Sequence, residues 1–151
     1  MALGGGATFV ARSVDVFQQH LKQTLKRAAA HRGTAFVEIY QNCNIFNDGA
    51  FAGMAEKETR EETTLYLEHG KPLVYGAAKD KGIRLDPRTL KLEVVRIEGG
   101  VLPDDLVVWD ETRPDPAIAF MLAQLEQPAF PTPVGVYRAG SRPTLEQRVI
   151  S

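Results

Sequence analysis

Apolar residues along the chain fall into two spacings, and the change from one to the other marks the elements. "ATFVAR" at 7–12 is a short β-prone run entered from Gly4, Gly5 and Gly6, and it predicts a strand. Beyond it Val14, Phe17, Leu21, Leu25 and Ala28 recur at steps of three and four, the signature of one helix face. Ser13 is the expected N-cap and Asp15 the first-turn carboxylate; Lys26, Arg27, His31 and Arg32 crowd the end, with Gly33 as the stop. "TAFVEIY" at 34–40 is apolar at most positions, as a central parallel strand should be. Strand, helix and strand with short joints make a βαβ unit, which implies parallel strands. Open α/β sheets place their ligands beyond the C-terminal strand ends, and "QNCNIF" at 41–46 falls in such a place.

The pattern then changes. Residues 54–70 are charged and lack glycine and proline until Gly70, which predicts a solvated, partly helical segment. Two β runs follow at 71–76 and 81–97. Asp86-Pro87 breaks the second, so a small antiparallel meander is expected. A short helix is predicted within 114–128, with Asp115 as cap, Pro116 at its first position, and Ile118, Met121, Leu122 and Leu125 on one face. The proline-rich remainder, 128–151, reads as an extended tail lying on another surface.

Composition narrows the function classes. Eighteen basic and 19 acidic residues leave a net charge of −1, without the basic excess of a nucleic-acid footprint. No run approaches the roughly 18 apolar residues of a membrane span, so no membrane role is expected. The first residues lack the basic and long apolar regions of a secretory signal. One cysteine excludes an internal disulfide, and a reducing cytoplasm is the expected setting. The 151 residues suffice for one domain core.

Candidate chemistry is sparse. Gly4 and Gly6 begin a dinucleotide fingerprint, but Phe9 occupies its last position. His20, His31 and His69 stand at no metal-binding spacing, and phosphate-loop, zinc-protease and serine-hydrolase motifs are lacking. Asp104-Asp105 and Asp110-Glu111 are adjacent pairs, a poor arrangement for a shared acid–base role. Cys43 has three readings: a small buried hydrophobe, a nucleophile without a nearby base, or one ligand of a metal centre. Local physics alone favours the first.

The wording of the sequence adds a family. "ATFVAR", "AAAHRGTAFVEIYQNCNIFNDGAF", "LEHGKPLVYG", "WDETRPDPAIAFMLAQL" and "FPTPVGVYR" occur in the same order in the thiamine-diphosphate-dependent 2-oxoacid:ferredoxin oxidoreductases. The chain resembles the C-terminal part of their β subunit, and the 2-oxoglutarate branch most. The resemblance implies an α/β fold: residues 1–47 as the last βαβ piece of the thiamine-diphosphate-binding parallel sheet, and 48–151 as an extension with antiparallel strands and a short helix. It implies an enzyme that oxidatively decarboxylates a 2-oxoacid to an acyl-coenzyme A, sending two electrons singly through a [4Fe-4S] cluster to ferredoxin. In the family four cysteines hold that cluster, three near the β-subunit N-terminus and a fourth in the motif that reads "NCNIFN" here. Cys43 therefore matches the fourth ligand, although Asn42 and Asn44 replace a flanking proline. The other three cysteines and the G-D-G stretch for Mg²⁺ and diphosphate have no counterpart in the chain, so no catalytic or thiamine-binding residue is expected in it. Expected partners are the α subunit, the N-terminal half of the β subunit, and ferredoxin. Val10, Phe36, Val37 and Ile39 are expected in a core that the other half covers. The alternative is a non-catalytic, stand-alone interaction protein.

Overall fold

Strong β propensity carries the first strand further than its apolar run. In a computed structural model, which describes residues 1–149, β1 spans Phe9–Val14 and is buried throughout. Ser13 and Val14 are therefore strand residues rather than a helix cap and a helix-face position. The ladder to the next strand explains this: it holds as far as Val14 beside Tyr40, and the Asp15 N–H donates to the Tyr40 carbonyl at 2.9 Å. Helix α1, Gln18–Ala30, starts only after this pairing ends, so Asp15 lies outside its first turn. Phe17, His20, Leu21, Thr24 and Ala28 form its inner line, and Leu25, expected inside, lies out.

β2, Ala35–Tyr40, pairs with β1 in parallel, as the βαβ reading requires. It is an edge strand, however, and not the expected central one. The order in this sheet is β2-β1-β7-β3, where β3 is Thr64–Leu67 and β7 is Thr132–Ala139. β7 overturns the expected tail: it runs antiparallel to β1 and parallel to β3, and is buried along nearly its whole length. The last two residues of that expected tail, Ile150 and Ser151, lie outside the described residues. Residues 64–67, expected to be solvated, are the largely buried edge strand β3; the helical part of that segment is α2, Ala52–Ala55, and α3, Lys57–Thr63.

The meander forms as expected. β4, Val74–Tyr75, β5, Lys81–Leu85, and β6, Leu92–Arg96, make an antiparallel sheet, with the Asp86-Pro87 turn joining the last two. Helix α4, Ala117–Ala123, begins where Asp115 Oδ1 accepts the Ala117 N–H at 2.9 Å. Its Ala119 and Leu122 enter the main core beside Leu65, Leu73, Ile83 and Trp109. A final short helix, α5, covers Leu145–Val149. The four-stranded sheet thus takes two strands from before residue 47 and two from after it.

Candidate functional site

The segment that joins β2 to α2 is the site the sequence singles out. Tyr40 ends β2, and its ring stacks on Phe51 with centroids 4.6 Å apart, closing the base of the loop between them. Inside the loop the Asn42 amide acts as a brace. Its Nδ2 donates to Asn44 Oδ1 at 2.7 Å and to Asp48 Oδ1 at 3.0 Å, while its Oδ1 accepts the Gly49 N–H at 2.9 Å. Asn42 and Asn44 thus hold the loop by side-chain bonding. Gly49 has φ of +73°, a backbone conformation that glycine adopts without strain. The Asn47 N–H donates to the Cys43 carbonyl at 2.8 Å, which folds the chain back around the thiol.

Cys43 is free and partly exposed at this turn, which disfavours the buried-hydrophobe reading. The backbone N–H of Phe46, and after it those of Ile45 and Asn47, hold its thiol pKa below the ordinary cysteine value. A lowered pKa favours the thiolate, the form that binds metal and reacts. One thiolate holds no cluster by itself, and among the described residues no group of three or more His, Cys, Asp or Glu could share a metal ion. The turn presents one thiol, and among the described residues no further ligand stands with it. Ile45 and Phe46 beside it are 83% and 89% exposed.

The other candidates lie elsewhere. Ser13 Oγ and His20 Nδ1 are 2.8 Å apart, and burial lowers the His20 pKa. Thr8 Oγ1 and His31 Nε2 are 2.7 Å apart, and His69 lies 3.5 Å from Asp110. His20 ties α1 to β1, His31 and His69 join loop residues, and none of these contacts involves Cys43. Asp110 bonds the Thr112 N–H and hydroxyl, whereas its neighbour Glu111 is buried and holds Arg27 of α1. Asp105 meets Arg84 at 3.4 Å.

One polar cluster escaped the sequence reading. Arg12, buried in β1, donates through Nε to Glu38 of β2 at 2.7 Å and through Nη1 to the Tyr137 hydroxyl at 2.9 Å. Tyr137 donates onward to the Pro133 carbonyl at 2.8 Å, and burial pushes its phenol pKa up. The guanidinium lies 4.9 Å from the Tyr40 ring centroid, which ties this cluster to the base of the Cys43 loop. A lone charge closing each of "FVAR" and "AFVE", the stretches that the ladder sets side by side, was the available signal.

No protein-family model matches the chain. Over 147 residues, 97% of its length, it is 41% identical to the 2-oxoglutarate oxidoreductase subunit KorB of Mycobacterium tuberculosis. The match spans 38% of that longer protein, a C-terminal part of it. Over 48 residues it is 42% identical to a 2-oxoacid:ferredoxin oxidoreductase β subunit of Aeropyrum pernix, and 40% to one of Saccharolobus solfataricus. Those segments cover 32% of this chain and 15% and 16% of the two archaeal proteins. The resemblance first carried by short motifs therefore holds along nearly the whole sequence.

Proposed function

With that kinship as premise, we propose that the chain acts as the C-terminal part of the β subunit of a 2-oxoacid:ferredoxin oxidoreductase, 2-oxoglutarate being the favoured substrate. In this reading residues 1–47 complete the thiamine-diphosphate-binding sheet and 48–151 form the subunit's extension. The whole enzyme converts a 2-oxoacid, coenzyme A and two oxidised ferredoxins into an acyl-coenzyme A, carbon dioxide, a proton and two reduced ferredoxins. Thiamine diphosphate with Mg²⁺ supplies the carbon chemistry when bound, and its ligands belong to polypeptide beyond this chain. The chain's own contribution is Cys43, one of four thiolates on a [4Fe-4S] cluster. The observation that carries the proposal is the 41% identity over 97% of the chain; Cys43 is assigned from the resemblance of its surrounding motif.

The N–H groups of Phe46, Ile45 and Asn47 support that role. The lowered thiol pKa favours the thiolate, the form that would ligate iron. The α subunit and ferredoxin are the partners, and the isolated chain is inactive. Cys43→Ser in the assembled enzyme tests the assignment. Expected are loss of most cluster iron and of the broad absorbance near 400 nm, with the subunits still assembled. Full iron content and unchanged electron transfer to ferredoxin would sink it.

A further inference from the structure

Asp48-Gly49 is the one place in the sequence where an aspartate or asparagine precedes glycine. Such a pair carries a chemistry of its own. The glycine nitrogen attacks the side-chain carboxyl carbon of the aspartate, a C–N bond forms, and the carboxyl hydroxyl leaves with the amide proton as water. Hydrolysis of the resulting succinimide at either carbonyl takes one water back and yields aspartate or isoaspartate. The cycle consumes no oxidant, reductant or co-reactant other than water. Glycine is the following residue that hinders it least, since no Cβ crowds the attacking nitrogen. The rate then depends on whether the nitrogen and the carboxyl are free to approach each other.

At this pair a single side chain holds both. Asn42 Oδ1 accepts the Gly49 N–H at 2.9 Å, and Asn42 Nδ2 donates to Asp48 Oδ1 at 3.0 Å. The same Nδ2 donates its other proton to Asn44 Oδ1 at 2.7 Å, which fixes the amide in place. Nucleophile and electrophile are thus engaged by one amide, and attack requires both bonds to break. Little else shields the pair. Residues 44–50 are exposed, and beyond the chain neighbours of Gly49 no atom lies within 4 Å of where its Cβ would stand. Exposed turns of this kind are where chemical and proteolytic attack concentrate.

We propose that Asp48-Gly49 is an isoaspartate-forming site and that Asn42 is the residue that holds it closed. On rearrangement the main chain runs through the former side chain, one carbon longer, and the α-carboxylate becomes the side group. An S-adenosylmethionine-dependent carboxyl methyltransferase recognises that group, so an enzyme of this class is the partner of the modified chain. The lengthened turn is the one that carries Cys43, whose carbonyl accepts the Asn47 N–H at 2.8 Å. The proposal stands whether or not that thiol binds iron.

The test is incubation of the purified chain in heavy-oxygen water at neutral pH, followed by peptide mapping and by methyl transfer with an isoaspartyl methyltransferase. Label should enter the peptide that contains Asp48 and no other aspartyl peptide. Asn42→Ala should raise the rate at least about fivefold, the effect of two lost hydrogen bonds. Adding Asp48→Glu, whose longer side chain closes the ring poorly, should abolish the labelling. Amide exchange outside residues 41–50 should be unchanged in Asn42→Ala, which separates loss of the brace from loss of the fold. If that variant unfolds, the unaltered chain with and without urea decides, and labelling should be at least about fivefold faster in urea. An unchanged rate in folded Asn42→Ala, label confined to other aspartates, or equal rates with and without urea would overturn the proposal.

Discussion

Ser13 shows at the residue scale what local sequence conveys and what it hides. A serine before an amphipathic run reads as a helix cap, yet it lies fully buried in β1 with its hydroxyl on His20. Capping statistics describe a helix in isolation, whereas the pairing of Val14 with Tyr40 depends on a strand more than 20 residues away. The His20 contact has a pH signature. Its pKa in the folded state is lowered by burial from 6.5, so the unfolded chain binds the proton more readily. This contribution to stability is present above about pH 6.5 and is lost as pH falls through the folded-state value. Urea unfolding should show that decline between about pH 7 and pH 5, and His20→Gln should flatten it. A decline unchanged in that variant would assign it to other groups. Cys43 was legible as a site only through the family's wording, because nothing in its spacing distinguishes a ligand from a small core residue. Arg12 was missed because its partners, Glu38 and Tyr137, lie in other strands.

Among the elements, those set by local chemistry were readable and those set by distant partners were not. The βαβ unit, the Asp86-Pro87 hairpin and helix α4 each follow from residues within a few positions, although Pro116 stands at the N-cap of α4, one place earlier than expected, and Asp115 bonds the Ala117 N–H from outside it. β7 was hidden by its prolines. Pro133 cannot donate to a ladder, which argues against a central strand, but it lies ahead of Gly135, where the pairing of β7 with β1 begins. The edge position of β2 was hidden for the opposite reason: its composition is that of an interior strand. Gly135 makes the β3–β7 contact possible. Its φ is +127°, and a Cβ there would lie 2.8 Å from the Leu67 carbonyl oxygen and 3.0 Å from Leu67 Cβ. At Gly82 the nearest obstacle, at 2.6 Å, is the tip of the Leu106 side chain, which can turn away. Gly135→Ala should therefore cost about 3 kcal/mol in chemical denaturation and Gly82→Ala about 1 kcal/mol. Equal costs would mean that β7 tolerates a side chain at that crossing.

For the whole molecule, the bare surfaces and the missing ligands point the same way. The Cys43 loop offers one thiolate, Ile45 and Phe46 stand exposed beside it, and the edge of β2 is open. Among the described residues no helix is long and apolar enough to cross a membrane. The most direct test is native mass spectrometry with iron analysis on the complex that contains this sequence, purified through a C-terminal tag from its own cells. The account predicts a complex with an α subunit and the rest of a β subunit, on the same or a separate polypeptide, and four irons per β subunit. A lone, iron-free chain of this sequence would contradict it and leave a stand-alone interaction protein.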